Sequence, residues 1–507
     1  MHLAASQRIS LPILAGVGLL AAGCFVVPPG WIPFWWAGAA AATGLIAFAA
    51  RGDLVVGILG WFVAVMCLGE EFWRVEVPFF FNLTLPRILI VALVVAFAMM
   101  WALGRVRLLR VGTLGWVMLL LAGYFTVSAA ATGWQTKAIA TVHYRLIGGY
   151  WFAFAVFVLM LWSVRREVHV RWVLWFFFAV SAYLCLTGWA EHFKVWALVW
   201  PSYISDPLRG IHWGRARGPF LVSAAMGLAC VFCFFSNTVL ARHASRTIRW
   251  PIYAVNLALL PVIFWTKTRA VWLSLIVCGI LWVAYSRRRL SRTAMVCGLA
   301  AAALLVVSIN FPNIATPRRE VGGVTDPEPI YVRIGLALIT WEIVKDHPLT
   351  GVGFGHFRDV APRYAADPAS EFFAFASTAM QHNNLLSIAA ETGLIGLALY
   401  LVLLWLLLRE SGQLWRRLPP SAIGPIGRDL VVLWWVLFAG WFIDGLFRET
   451  SVHPFANSLF FGLSGAIVAL NRLLAADLLP QPLQVETAPQ PVRTRTDAVR
   501  VGPVGPV

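Results

Sequence analysis

Residues 380–405 read MQHNNLLSIAAETGLIGLALYLVLLW, with Gln381, His382, Asn383 and Asn384 standing directly before an apolar run that continues to about residue 408. A run of this length, interrupted only by Glu391, suits a helix crossing roughly 30 Å of hydrocarbon. Working outward, comparable runs recur at about 11–28, 32–50, 54–68, 88–104, 111–132, 146–164, 172–189, 219–240, 251–266, 270–286, 294–309, 430–447 and 455–471. The 507 residues are 60% hydrophobic and 12% charged, where a soluble domain is nearer half apolar and a quarter charged. The expectation is an all-α, polytopic integral membrane protein of about 12–14 transmembrane helices, some of the shorter runs being tilted or re-entrant.

A formal charge of +17 could suggest nucleic acid, but its placement argues otherwise. With a cytoplasmic amino terminus and alternating runs, the inner connections collect Arg105/Arg107/Arg110, Arg165/Arg166/Arg171, Arg242/Arg246/Arg249, Arg287/Arg288/Arg289/Arg292 and Arg409/Arg416/Arg417/Arg428. This is the positive-inside asymmetry of a membrane protein, and nucleic acid is not among the expected partners. The seven cysteines all fall in apolar runs, so no disulfide framework is expected. Cys230-Val-Phe-Cys233 lacks the second pair or neighbouring histidine that a zinc or redox site requires, and reads as two core thiols one turn apart. No metal site is expected.

The chain divides into a bundle with outer loops over 1–309, a large outer loop over 310–385, further spans over 386–472 and a proline-rich, disordered inner tail over 473–507. Within the large loop, Ile334, Ala337, Leu338, Trp341 and Val344 recur at helical spacing, predicting an amphipathic helix at the membrane surface or roofing a cavity. It ends at DHPLTGVGFGHF, whose G-x-G-x-G lacks the preceding strand of a phosphate loop and reads as a tight turn.

Ionisable groups at membrane depth are costly and are therefore functional candidates. On the outer side these are Arg215 and Arg217 before the run starting at Pro219, Lys267 and Arg269 in the tight WTKTRAVW connection, and His382. Taken singly, each cation could simply snorkel to headgroups, and His382 could be a polar interface residue beside an Asn383 helix cap. Together, guanidinium groups suit a phosphate-bearing anion at the outer leaflet, and a neutral imidazole can take a proton from a hydroxyl. Glu391 could orient that imidazole or pair with a buried arginine.

His382-Asn383, nine residues, Gly393, two residues and Gly396 resembles the H-[NSQ]-x9-G-x2-G signature of O-antigen ligases, within the wider family of O-antigen ligases and polymerases. HPLTGVGFGHF is similar to the P-L-x-G-V-G segment preceding that signature. Arg217-Gly-Pro-Phe-Leu221 fits the ligases' R-x3-L motif and Arg215-Ala-Arg-Gly218 an R-x-x-G variant, leaving open which arginine is equivalent, while Arg269 matches the family's arginine between two mid-chain spans. The resemblance implies a bacterial inner-membrane enzyme with a periplasmic site, needing no cofactor. It would move a glycan from undecaprenyl diphosphate to a sugar hydroxyl of lipid A–core. Arg217, Arg215 and Arg269 would hold the diphosphate and His382 would serve as base, with Lys267, Asn383 and Glu391 in support. An O-antigen polymerase or a protein O-oligosaccharyltransferase fits nearly as well. An organic-anion transporter would predict internal repeats and interrupted helices near the midplane, and neither is visible in the pattern.

Overall fold

The computed structural model describes residues 32–75, 82–136, 141–285, 328–365, 379–419 and 424–479, with isolated positions at 293–300 and 370–376. The expected run at 11–28, most of that at 294–309 and residues 480–507 of the expected tail lie outside them. Among the described residues the fold is all-α, the one sheet being a ribbon of β1 (Arg74–Val75) and β2 (Leu83–Thr84). The bundle begins with α1 (Ile32–Arg51), α2 (Leu54–Cys67), α3 (Leu85–Ala102), α4 (Gly112–Thr132) and α5 (Tyr144–Ser163), whose first eight residues are π-helical. It continues through α6 (Glu167–His192), α7 (Ser223–His243), α8 (Arg246–Trp265) and α9 (Arg269–Tyr285). After α10 (Glu328–Asp346) and the single turn α11 (Phe357–Val360) come α12 (Asn384–Arg417), α13 (Arg428–Phe447) and α14 (Pro454–Ala475). Nine of the described helices are long and apolar enough to cross a membrane, as a multi-pass membrane protein requires.

Packing is densest between α5 and α14, between α9 and α13, and around α7, which α6 and α8 flank. Every residue in the apolar window of α7 is buried, because its small side chains admit close neighbours: a Cβ on Gly227 would lie 2.6 Å from Val271 Cγ1. Small residues play this part where lipid, as apolar as leucine, offers no hydrophobic drive to associate. Cys230 and Cys233 are buried thiols in this core. Asn237 on α7 joins the neighbouring helices by donating to Ser181 Oγ and Asn256 Oδ1, each at 2.9 Å. On the periphery, α3, α4 and α8 turn Val91, Trp116 and Leu257 outward, as lipid-facing helices do.

The connections sort cleanly by end. Arg166 pairs with Asp53, Arg242 with Asp429 and Arg472 with Glu410 at one end, whereas Arg209 pairs with Glu71 and Arg145 with Glu391 at the other. The first end gathers the connections expected to be inner, the second those expected to be outer.

Contrary to the expectation of uninterrupted helices, α12 breaks at Gly393, whose φ of 66° and ψ of −168° lie outside the helical region. The break opens the ladder, and the loop 347–357 closes it. Val352 N–H donates to Ala390 O at 3.0 Å and Gly353 N–H to Glu391 O at 2.8 Å, while Tyr124 Oη donates to Thr392 O at 3.0 Å. In return Leu394 N–H donates to Pro348 O at 2.8 Å and Ile395 N–H to Leu349 O at 3.3 Å. Irregular backbone at membrane depth is tolerated where protein satisfies it in this way. Two glycines are required by the contact. A Cβ on Gly393 would stand 2.2 Å from Leu349 O, and one on Gly351 2.4 Å from the Glu391 carbonyl carbon. The G-x-G-x-G segment is thus a turn, and also a wedge that splices a broken helix.

The predicted loop helix is present as α10. It buries Leu336, Ile339 and Ile343 and turns Ile334, Leu338 and Trp341 outward, so it is apolar on both faces.

Candidate active site

Three of the four polar residues at the start of α12 serve the fold. Gln381 is buried and donates to Thr340 Oγ1 on α10 at 2.6 Å, while its carbonyl oxygen accepts from His382 N–H at 2.9 Å. Asn383 caps α12, Oδ1 accepting from Leu385 N–H at 2.9 Å and Leu386 N–H at 3.1 Å, as a side-chain oxygen ahead of a helix does. Its amide also donates to Leu446 O at 3.2 Å. Asn384 is buried, donating to Tyr400 Oη at 2.8 Å and accepting from Thr450 Oγ1 at 3.0 Å. His382 is the exposed member of the four, on a backbone held from three sides.

Arg215, Lys267 and Arg269 lie in adjoining segments. Arg215 and Lys267 meet where Arg215 Nη1 donates to Lys267 O at 3.5 Å, beside the Ala216 N–H to Trp265 O bond of 3.1 Å. Partial burial and the like charge of Arg215 pull the Lys267 ammonium below the usual lysine range, so an anion between them would relieve the repulsion. Lys267 takes the left-handed conformation, φ 49°, which turns the chain within three residues from α8 into Arg269, the first residue of α9. Arg215, Lys267 and Arg269 are each half-buried.

Arg217 differs from its neighbours. It is buried, donating to the carbonyls of Ile204 at 3.1 Å, Asp206 at 2.7 Å and Arg209, and lying 4.5 Å from the Trp213 ring centroid. Glu191 accepts from its backbone N–H at 3.1 Å and from that of Gly218 at 2.8 Å. Its guanidinium ties the 202–221 loop together.

Helix register brings this cationic group towards the histidine. Ser274 Oγ donates to Gly440 O at 3.4 Å and Cys278 Sγ to Val436 O at 3.1 Å. That antiparallel pairing sets the Arg269 end of α9 beside the Asp444–Leu446 turn of α13. Asn383, next to His382, donates to Leu446 of the same turn.

Glu391 lies deeper, and it pairs with a buried arginine. Arg145 Nη1 and Nη2 reach Glu391 Oε1 and Oε2 at 2.8 and 2.7 Å, a two-pronged pair, and Nη2 also contacts Glu449. Arg145 Nε donates to Ser451 Oγ at 3.3 Å, and the guanidinium carbon stands 5.0 Å from the Phe354 ring centroid. All three ionisable groups are at most 5% exposed. Two carboxylates thus share one cation, and burial together with the negative charge of Glu391 raises the pKa of Glu449 above the ordinary glutamate value. The cluster pins α5, α12 and the 448–453 connection together directly beneath the histidine segment.

Sequence reasoning missed Arg145, Glu449 and the Arg448–Asp444 pair, in which Arg448 Nε donates at 2.9 Å. The criterion that found Arg215, a charge at the outer mouth of an apolar run, applies equally to Arg145 and Arg448.

Residues 254–401 match a family model described as O-Antigen ligase. The matched stretch contains Lys267, Arg269, the loop 347–357, His382, Asn383, Glu391 and Gly393, and stops short of Arg215 and Arg217 upstream. No curated protein matches the chain.

Proposed function

From the match of residues 254–401 to the O-antigen ligase family model, we propose that this protein belongs to the O-antigen ligase/polymerase family and is an O-antigen ligase: a membrane-embedded, inverting, metal-independent glycosyltransferase. Its donor is a glycan on undecaprenyl diphosphate, its acceptor a sugar hydroxyl of lipid A–core, and its site faces the periplasm from the inner membrane. The observation carrying this reading is the convergence of the Arg215, Lys267 and Arg269 segments with His382 at one end of the bundle.

The acceptor oxygen attacks the anomeric carbon while His382 takes its proton. The bond from that carbon to the diphosphate oxygen breaks, and undecaprenyl diphosphate leaves with the electron pair. The charge developing on the diphosphate is met by Arg215, Lys267 and Arg269, fixed in place before the reaction so that little reorganisation is needed. Arg217 adds its charge to the same field while its carbonyl bonds keep the loop bearing Arg215 in shape.

The test is genetic and chemical. Deletion should leave lipid A–core bare of polymer, and His382→Ala should fail to restore it at normal protein level. Core carrying a single repeat in the deletion strain would instead identify a polymerase, and full restoration by His382→Ala would overturn the assignment of the base.

A further inference from the structure

Outside the residues assigned above, the outer end carries an open cavity of about 530 Å³, lined by Glu70, Glu71, Phe72, Trp73, Arg74 and Arg209. Its rim is ordered by ion pairs. Glu71 and Arg209 approach to 3.2 Å while each stays more than 40% exposed, and Glu70 is held by Arg87 at 2.7 Å. Trp73 is 43% exposed and Phe72 48%, the latter edge-on to Trp200 at 6.4 Å. Concave sites that recognise small ligands combine apolar walls with a few fixed polar groups in this way.

The rim composition selects the ligand. Two carboxylates stand against two guanidinium groups, so a polyphosphate gains little there, and hydrocarbon would leave four charged side chains desolvated. A sugar chain satisfies every part: its C–H face lies on indole or phenyl, and its hydroxyls donate to carboxylates and accept from arginine. The cavity also communicates with the loop of the cations, since Arg209, whose side chain bonds the Glu71 carbonyl at 2.8 Å, offers its own carbonyl to Arg217.

We infer that the basin between the 69–75 turn and Arg209 is a saccharide subsite, holding a hydroxyl-rich sugar chain several residues from the reacting carbon. The inference rests on the glycosyltransferase reading for its ligand. The sugar could belong to the donor glycan or to the acceptor core.

The experiment uses the full-length protein purified in detergent, with two lipid-free probes: core oligosaccharide released from lipid A by mild acid, and the O-antigen repeat oligosaccharide. Saturation-transfer NMR should show one of them bound, with about tenfold weaker binding for Trp73→Ala and partial recovery in Trp73→Phe. Glu71→Gln, which keeps the side chain's size, should weaken binding likewise and guards against misfolding of the alanine variant. In the transfer assay, Trp73→Ala should raise KM for the substrate carrying the bound sugar with kcat held, which separates donor from acceptor. Binding of neither saccharide, or equal binding by wild type and both variants, would overturn the subsite. Because binding is read without turnover, absence of transfer would count against the proposed reaction alone.

Discussion

His382 is the exposed residue of a quartet whose other three members hold the backbone on either side of it. Positioned general bases are worth about 10²–10⁴ in rate, so His382→Ala should lower transfer by that factor with an unchanged melting temperature. A comparable fall in melting temperature would mark the histidine as structural. Lys267 makes a second, pH-based prediction. Its ammonium binds anions only when protonated, and its pKa lies below the usual lysine range. Affinity for inorganic pyrophosphate should therefore fall as pH rises through that lowered value, and Lys267→Gln should remove this limb of the titration. The Arg145 cluster predicts opposite signs for two substitutions. Arg145→Met leaves two buried carboxylates without a cation and should cost about 3–5 kcal/mol. Glu449 binds its proton more tightly when folded than unfolded, so its contribution is lost as pH rises, and Glu449→Gln should raise the melting temperature more at pH 8 than at pH 5.

Among the elements, the spliced helix α12 separates what local sequence reveals from what it conceals. The apolar run and the polar segment ahead of it are local, and both are found where the sequence places them. The break is not local: the signature marks Gly393, but no neighbour in sequence shows that the helix breaks there, because it is Leu349, over forty residues earlier, that takes the space of its missing side chain. Arg145 was hidden in the same way, its carboxylate partners lying 246 and 304 residues away. Arg217 shows the converse, for its motif was legible while its bonds to three carbonyls depend on how its loop folds. Gly393→Ala should cost ~3 kcal/mol from its backbone conformation alone, and the steric conflict with Leu349 adds to that. The expected readout is a lower melting temperature with faster proteolysis within 347–357; an unchanged melt and cleavage pattern would show that the splice contributes nothing.

At the scale of the whole molecule, charge fixes direction. The arginine-rich connections lie at one end, and the proposed site lies at the other, so the positive-inside rule predicts a site that faces the periplasm. A cysteine placed at 382 in a Cys297→Ser background should react with an impermeant maleimide in intact spheroplasts, whereas one at Arg416 should react only after permeabilisation. The reverse pattern would invert the protein. On the proposed reading that orientation restricts the chemistry, because a periplasmic transferase would work on an already activated lipid diphosphate and stabilise its departure with groups built into the fold. The most direct test is transfer by the purified protein in proteoliposomes, from carrier-linked glycan to lipid A–core, with excess chelator present. Fixed cations predict full activity under chelation and a loss of about 10²–10³ for Arg269→Ala. Activity abolished by the chelator and restored by magnesium would contradict them.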